Sequence, residues 1–285
     1  MSLRREVAQA IRLGIKPRRR LGQSFVVDEG LLRRMVGYGR VKREDVVLEV
    51  GGGLGFLTRE LAKAAGVVVS IEIDTNLTRS LRERVRGCKN VAVIRSDALS
   101  IPLVTTPKIV SNPPYQISSP LLFNLLETDF ELAVLTLQME FANRLVAQPG
   151  TRDYSRLTVS TSYKAQVEIL EGVPKGSFYP QPEVDSAVVR IVPRDFHPRA
   201  DDTDFFHDMV RAIFSHRNKK VRNAVRGFVR ERTGIHDRRR VRMLADSVLY
   251  GEKRVRELSL EMLVKLSNDL KAVLNRTRNP KLHDR

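Results

Sequence analysis

The chain has 285 residues, a hydrophobic fraction of 42% and a formal net charge of +17, from 50 Lys and Arg against 33 Asp and Glu. RNA, DNA or an anionic membrane surface would satisfy such an excess of positive charge, and we favour a nucleic acid as the partner. The single cysteine, Cys88, excludes an intramolecular disulfide and fits a reducing cytoplasm, and no apolar run approaches the ~20 residues of a membrane span.

The first part of the chain predicts an α/β domain. The Arg-rich segment 1–20 is predicted to be a basic N-terminal arm or short helix, and 21–194 the α/β domain itself. Short β-branched runs predict strands at 46–50, 67–73, 91–95, 108–111 and 132–137, and amphipathic runs predict helices at 54–65, 77–85 and 118–126. Because strands and helices alternate, we expect a largely parallel sheet covered on both faces.

The pattern changes after Pro193. The polar, proline-containing stretch 195–204 is predicted to be a linker. From Phe205 to Leu274 apolar residues recur at helical spacing and no strand pattern remains. The sequence therefore predicts a small all-helical C-terminal domain over 205–285.

A glycine-rich turn, Glu49-Val50-Gly51-Gly52-Gly53-Leu54-Gly55, follows the strand at 46–50. Glycines in such a turn let a ligand come close to the backbone. The run does not match the dinucleotide pattern G-x-G-x-x-G, because Phe56 stands at the third glycine position. It matches E-x-G-x-G-x-G, which is typical of S-adenosylmethionine-dependent methyltransferases, although tight turns without a ligand can look similar.

Acidic residues stand at the carboxyl ends of the next two predicted strands. Glu72 lies about 20 residues beyond the glycine turn and can accept hydrogen bonds from two ribose hydroxyls. Asp97 can accept the adenine amine of a nucleoside. A solvated acid or a local turn is the alternative for each, but combined with the glycines they favour a nucleoside ligand.

The segment Asn112-Pro113-Pro114-Tyr115 follows the strand at 108–111 and precedes a helix. The N6 amine of adenine is a poor nucleophile because its lone pair is delocalised into the ring. The Asn112 side-chain oxygen and the Pro113 carbonyl could accept its two N–H groups, and Tyr115 offers a ring on which the base could stack. Phe178, in the proline-rich stretch 178–186, could cover the other face of the base or be a core aromatic.

The run from Arg211 to Arg226 contains no acidic residue. It predicts a phosphate-binding surface rather than a solvated helix face, because no acid is available for i,i+4 pairing. The residues predicted to bind RNA are Arg217, Asn218, Lys219, Lys220 and Arg222. The five histidines are scattered without ligand spacing, so no metal site is predicted.

In this order the motifs resemble those of the KsgA-type ribosomal RNA adenine dimethyltransferases, in their archaeal and eukaryotic form. The resemblance runs from about Leu21 to Ser267 and includes the stretches 21–28, 49–55, 71–74, 115–120, 178–186 and 214–219. It implies a Rossmann-like S-adenosyl-L-methionine methyltransferase sheet with a small helical RNA-binding domain. It also implies dimethylation of two adjacent adenines near the 3′ end of small-subunit rRNA, during ribosome biogenesis; a monomer is the default state.

The resemblance and the motifs together assign the cofactor site to Gln23, Ser24, Val26, Glu49, Gly51, Gly53, Glu72, Ile73, Asp97, Ala98 and Asn112. They assign catalysis to Asn112, Pro113, Tyr115 and Phe178. Pro113 stands where the family commonly has a leucine. The proline is the form found in other N6-amine methyltransferases. Ser24 stands where relatives often have Asn or His.

Two other functions fit parts of the pattern. The Asn-Pro-Pro-Tyr segment also occurs in DNA adenine methyltransferases and in enzymes that methylate glutamine amides of release factors. The basic helical domain and the motif at Gln23 favour rRNA over these substrates. A ribosome-assembly factor that has lost catalysis is disfavoured because Glu72, Asp97 and Asn112 are all intact.

Overall fold

A computed structural model describes residues 2–15, 17, 23–101 and 108–278 of the chain. The chain divides into two compact units. The first comprises Met1–Asn143 and Ala165–Pro193, and the second comprises Arg144–Lys164 and Arg194–Arg285. Within the described ranges, no helix is both long enough and apolar enough to cross a membrane.

The secondary structure follows the predicted order in the first half and adds elements in the second. The strands are β1 (Phe25–Val26), β2 (Val46–Val50), β3 (Val67–Glu72), β4 (Val91–Arg95), β5 (Lys108–Ser111), β6 (Leu132–Gln138), β7 (Ala165–Val173), β8 (Phe178–Tyr179) and β9 (Ser186–Pro193). The helices are α1 (Leu3–Arg12), α2 (Glu29–Tyr38), α3 (Phe56–Ala64), α4 (Thr75–Arg84), α5 (Ser118–Leu125), α6 (Met139–Leu145), α7 (Arg156–Lys164), α8 (Thr203–Phe214), α9 (Val221–Thr233), α10 (Arg238–Asp246) and α11 (Leu260–Arg278).

The first unit is built on a seven-stranded sheet with the order β4-β3-β2-β5-β6-β9-β7. Strands β2 to β6 pair in parallel, as the alternating pattern predicted. The chain progresses outward from β2 through β3 to β4 and then returns to place β5 on the other side of β2. In such sheets ligands bind outside the carboxyl ends of the strands at this switch point, so the turns that leave β2 and β5 face one crevice.

Two long strands were not predicted. Strand β9 pairs antiparallel with both β6 and β7, and β7 forms the edge of the sheet. Strand β9 begins at the end of the proline-rich stretch 178–186, after which no strand was predicted. Strand β7 carries two glutamates and a glycine and is interrupted by a register shift, so its sequence shows no clear alternation.

The second unit is helical, which confirms the fold expected for the C-terminal part. Its core contains large apolar side chains of α8 and α9, among them Phe206, Ile213 and Phe228. These recur every three or four residues, so one face of each helix is buried against the others.

The limits of the units differ from the predicted ones. The segment Arg144–Lys164 was placed in the α/β domain but is part of the second unit, where Tyr154 is buried in the helical core. The stretch 195–204, expected to be a linker, also belongs to the second unit: Phe196 is buried there, 6.0 Å from the ring of Tyr163. In the segment 1–20, predicted to be a basic arm or a short helix, Leu3–Arg12 forms a helix whose Val7 is fully buried, and residues 1, 16 and 18–20 lie outside the described residues.

Candidate active site

The glycine turn connects β2 to α3 in a backbone conformation that needs glycine. Gly51, Gly53 and Gly55 have φ values of +80°, +55° and +79°, which side chains rarely adopt. A Cβ at Gly51 would lie 3.1 Å from Cδ of Pro114. The turn that leaves β2 therefore lies against the Asn-Pro-Pro-Tyr segment that leaves β5.

Glu49 is buried beside this turn and holds it in place. Its side chain is 1% exposed, and its Oε2 accepts hydrogen bonds from Thr58 Oγ1 at 2.5 Å and Ser70 Oγ at 2.6 Å. Burial raises the pKa of the Glu49 carboxyl to about 7, against the lowering effect of the two hydroxyls. Although Glu49 borders the cavity described below, these contacts make it a residue that positions the turn.

Glu72 ends β3 with both carboxyl oxygens oriented by the backbone. Oε2 accepts a hydrogen bond from the Gly53 N–H at 3.0 Å, and Oε1 accepts one from the Asp74 N–H at 2.9 Å. Burial raises the pKa of the Glu72 carboxyl above its ordinary value. Each oxygen keeps a lone pair with which to accept a further hydrogen bond, such as one from a hydroxyl.

Asp97 is oriented in a similar way after β4. Its Oδ1 accepts from the Leu99 N–H at 2.9 Å and its Oδ2 from Ser100 Oγ at 3.2 Å. The carboxylate is thereby held as an acceptor at the edge of the same crevice as Glu72.

Asn112 carries a buried acceptor that is not used within the part of the chain that the structure describes. Its Nδ2 donates to the Ser24 carbonyl at 3.4 Å, which ties the segment after β5 to the chain before β1. Its Oδ1 is buried and has no hydrogen-bond partner among the described residues. A buried polar atom without a partner destabilises the protein, so this oxygen is placed to accept a hydrogen bond from a ligand.

A single cavity of the first unit brings the predicted cofactor residues together. It is lined by Gln23, Ser24, Val26, Glu49, Gly51, Gly53, Glu72, Ile73, Asp97, Ala98 and Asn112, which is every residue assigned to that site. Leu21 and Gly22 of the same N-terminal motif lie outside the described residues.

The cavity also has apolar walls that sequence reasoning missed. They include Phe25, Phe56, Leu77 and Ile117. Phe25 and Phe56 adjoin the motifs, but nothing local distinguishes an apolar side chain that lines a cavity from one in the core. Polar acceptors at the ends of three strands, with an apolar wall between them, fit a nucleoside. The glycines of the turn would let the nucleoside come close to the protein backbone.

Three of the four residues assigned to catalysis do not line this cavity. Pro113 is buried, and Tyr115 is half-buried with its hydroxyl 2.6 Å from Ser186 Oγ. Phe178 is fully buried within the apolar core and pairs with Val26 across β1 and β8. Its ring therefore has no face open to a base, which corresponds to the core aromatic that was the alternative interpretation.

The basic run of the second unit is largely paired, contrary to the expectation that no acid was available. Lys220 Nζ lies 2.7 Å from Glu252, and Arg222 pairs with the same carboxylate. Arg217 donates to the carbonyls of Arg152 and Tyr154 at 2.8 and 2.9 Å. The Asn218 carbonyl accepts from Arg254.

Lys219 differs from these neighbours. It is exposed, and its side chain makes no ion pair or hydrogen bond within the part of the chain that the structure describes. Of the basic side chains predicted to bind RNA, it is the one that the fold leaves available.

Comparison with known proteins agrees with the geometry. Residues 14–260 match the model of the family described as ribosomal RNA adenine dimethylase. The chain is 43% identical over 258 residues to the "probable ribosomal RNA small subunit methyltransferase A" of Methanothermobacter thermautotrophicus, covering 90% of this chain and 92% of the relative. It is 47% identical over 214 residues to the protein of the same name from Methanopyrus kandleri, covering 74% and 77%.

Solved structures show the same relationship. A dimethyladenosine transferase from Plasmodium falciparum superimposes with a TM-score of 0.76 at 26% identity, covering 86% of this chain and 97% of that one. The 23S rRNA methyltransferase ErmE gives a TM-score of 0.66 at 31% identity, covering 87% and 99%. The methyl donor of the enzyme is accordingly S-adenosyl-L-methionine, and the chain belongs to the ribosomal RNA adenine dimethylase family.

Proposed function

We propose that this enzyme transfers methyl groups to N6 of two adjacent adenines near the 3′ end of small-subunit rRNA, giving dimethylated bases. The archaeal relatives are named as small-subunit rRNA methyltransferases, and one structural neighbour is a dimethyladenosine transferase. The observation that carries the proposal is Asn112 Oδ1, a buried acceptor in the wall of the cavity that has no hydrogen-bond partner among the described residues. An exocyclic amine is the complementary donor.

The residues around Asn112 promote the reaction mainly by orienting the target amine toward the methyl donor. When bound, S-adenosyl-L-methionine supplies an electrophilic methyl group on a sulfonium that leaves readily. Asn112 Oδ1 and the Pro113 carbonyl accept the two N–H groups of the target amine and favour a pyramidal nitrogen whose lone pair can attack. Because proline has no N–H, the segment offers no competing donor at these positions. Holding the reactants in line supplies much of the acceleration. The sulfur departs as a neutral thioether, and the methylated nitrogen is cationic and acidic, so it can lose its proton to water without a strong base.

The same pair of acceptors explains a second transfer to one nitrogen. After the first methylation the amine retains one N–H group, which either acceptor can still orient. Tyr115 remains the candidate for stacking on the base: its hydroxyl is fixed by Ser186, and its half-buried position leaves part of the side chain exposed. Stacking by Phe178 would require its buried ring to move, so we assign it no contact with the base in this conformation.

We further propose that the enzyme acts as a monomer in the cytoplasm on a pre-ribosomal small subunit, with the helical unit binding RNA. The net charge of +17 and the single cysteine support this setting. Light scattering during size-exclusion chromatography should give the mass of one chain; a stable dimer would contradict the monomer.

The test of the function is methyl transfer from labelled S-adenosyl-L-methionine to unmethylated small ribosomal subunits, with the products identified by nucleoside mass spectrometry. We expect N6,N6-dimethyladenosine at two neighbouring positions of the wild-type product. Asn112→Ala should lose turnover while cofactor affinity, measured by calorimetry, stays within about threefold, because the lost acceptor acts on the target amine. Label on another base or on protein, or wild-type turnover in Asn112→Ala, would contradict the proposal.

A further inference from the structure

The second unit contains a groove that includes part of the predicted basic run and extends beyond it along α9. It has a volume of about 770 Å³ and lies along the end of α8, the following turn and one face of α9. Its buried lining includes Ala224 and Phe228, and exposed polar side chains such as Lys219 and Arg230 border it. Lys219 is also the available cation of the basic run.

Gly227 lies in this groove at the midpoint of α9. Glycine in a helix interior is destabilising relative to alanine. Here its φ lies outside the left-handed region, and a Cβ built at this position would meet no atom within 4 Å. Nothing within the described protein requires the side chain to be absent, so we infer that the missing side chain leaves room for a ligand that comes close to the helix backbone.

The charge of the groove indicates what that ligand is. Lys219 and Arg230 are exposed, and neither side chain forms an ion pair or hydrogen bond with any described residue. Glu231 is the one acidic residue of the lining, which also includes His216 and Asn223 as hydrogen-bonding groups. Two unpaired cations beside a cleft favour an anionic ligand whose charges are spaced along it.

We propose that the groove seats a ribose-phosphate segment of the rRNA, which passes over Gly227 with its phosphates contacted by Lys219 and Arg230. This rests on the proposed function, since it takes rRNA as the substrate, and it specifies the surface of the helical unit that holds it. Contact to the backbone fixes the register of the RNA and carries no sequence information. Discrimination of the target base stays at Asn112.

The first test is Gly227→Ala, with Gly37→Ala as the matched control. Gly37 is an exposed glycine within α2 whose added Cβ would also meet nothing within 4 Å. Both variants should keep or raise the melting temperature, by about 2 °C. Gly227→Ala should weaken binding to purified unmethylated small subunits about 5- to 30-fold, the effect of losing a well-placed contact, whereas Gly37→Ala should bind as the wild type does. Wild-type affinity in a folded Gly227→Ala would overturn the proposal.

The second test compares two double variants that lose the same number of positive charges. Lys219→Ala/Arg230→Ala and Lys220→Ala/Arg222→Ala each remove two positive charges, but only the second pair is held by Glu252. The first double variant should flatten the slope of log affinity against log salt by about 1.4 to 1.8, from two lost phosphate contacts. The second should change it less. Equal effects of the two variants would mean that the RNA senses net charge alone, and the groove assignment would fail.

These outcomes are separate from the test of the proposed function. If the wild-type enzyme dimethylates adenines while Gly227→Ala binds subunits normally, only the groove is wrong. If the wild-type enzyme methylates no adenine, the proposed function fails, and the binding measurements on subunits still decide whether RNA occupies the groove.

Discussion

The buried carboxyl of Glu49 should make the stability of the first unit depend on pH near neutrality. Burial raises its pKa from 4.5 to about 7 in the folded protein. A carboxyl whose pKa is raised on folding stabilises the folded state fully below its unfolded pKa, and that contribution is lost as pH rises through the folded value. With 1.36 kcal/mol for each pKa unit, the loss between pH 4.5 and pH 8 is about 3 kcal/mol.

Glu49→Gln removes the titration and keeps the packing. Thr58 and Ser70 hydroxyls can each donate or accept, so the amide can bond to both in place of the carboxyl. The variant and the wild type should have similar free energies of unfolding near pH 4.5. At pH 8 the free energy of unfolding of the variant should exceed that of the wild type by about 3 kcal/mol more than it does at pH 4.5.

The assay is urea unfolding of cofactor-free protein, followed by circular dichroism at intervals from pH 4.5 to 8.5. Glu83→Gln serves as the control because its side chain is exposed, with a relative accessibility of 69%. Its difference from the wild type should not vary with pH by more than about 0.5 kcal/mol. If the difference in the free energy of unfolding between the wild type and Glu49→Gln is equally independent of pH, the carboxyl beneath the glycine turn does not titrate in this range and the reasoning is refuted.

Three further changes test other parts of the first unit. Glu72→Ala should weaken S-adenosyl-L-methionine binding by about 1.5–3 kcal/mol, because it removes a carboxylate placed to accept from hydroxyls; unchanged affinity by calorimetry would remove Glu72 from the site. Lys108→Met should lower the free energy of unfolding by about 3–5 kcal/mol, since it leaves Asp45 without the buried cation that lies 2.7 Å away; chemical denaturation measures this, and a neutral result would mean that Asp45 is solvated. Tyr115→Phe should cost about 1 kcal/mol of stability from the lost hydroxyl contact and retain most of the turnover, whereas an inactive Tyr115→Phe would show that the hydroxyl takes part in the reaction.

The sequence by itself determined the parallel part of the sheet and which polar and glycine residues line the cavity of the first unit. Both depend on short-range patterns: β-branched runs of four to seven residues predict strands, and a motif that directly follows a parallel strand must lie at its carboxyl end. Glu72 ends such a strand, and Gly51, Asp97 and Asn112 each follow one, so they could be placed together without knowing any tertiary contact.

The tertiary structure alone decided which of the assigned side chains are free to act. Glu49 is held by hydroxyls 9 and 21 residues away, and Phe178 is closed within the core. The basic run looked unpaired because it contains no acidic residue, yet Glu252 reaches Arg222 from 30 residues further along the chain. Periodicity records local conformation, whereas burial and charge pairing depend on segments that meet only when the chain folds. For the same reason the groove at Gly227 could be recognised only once α8 and α9 were in place.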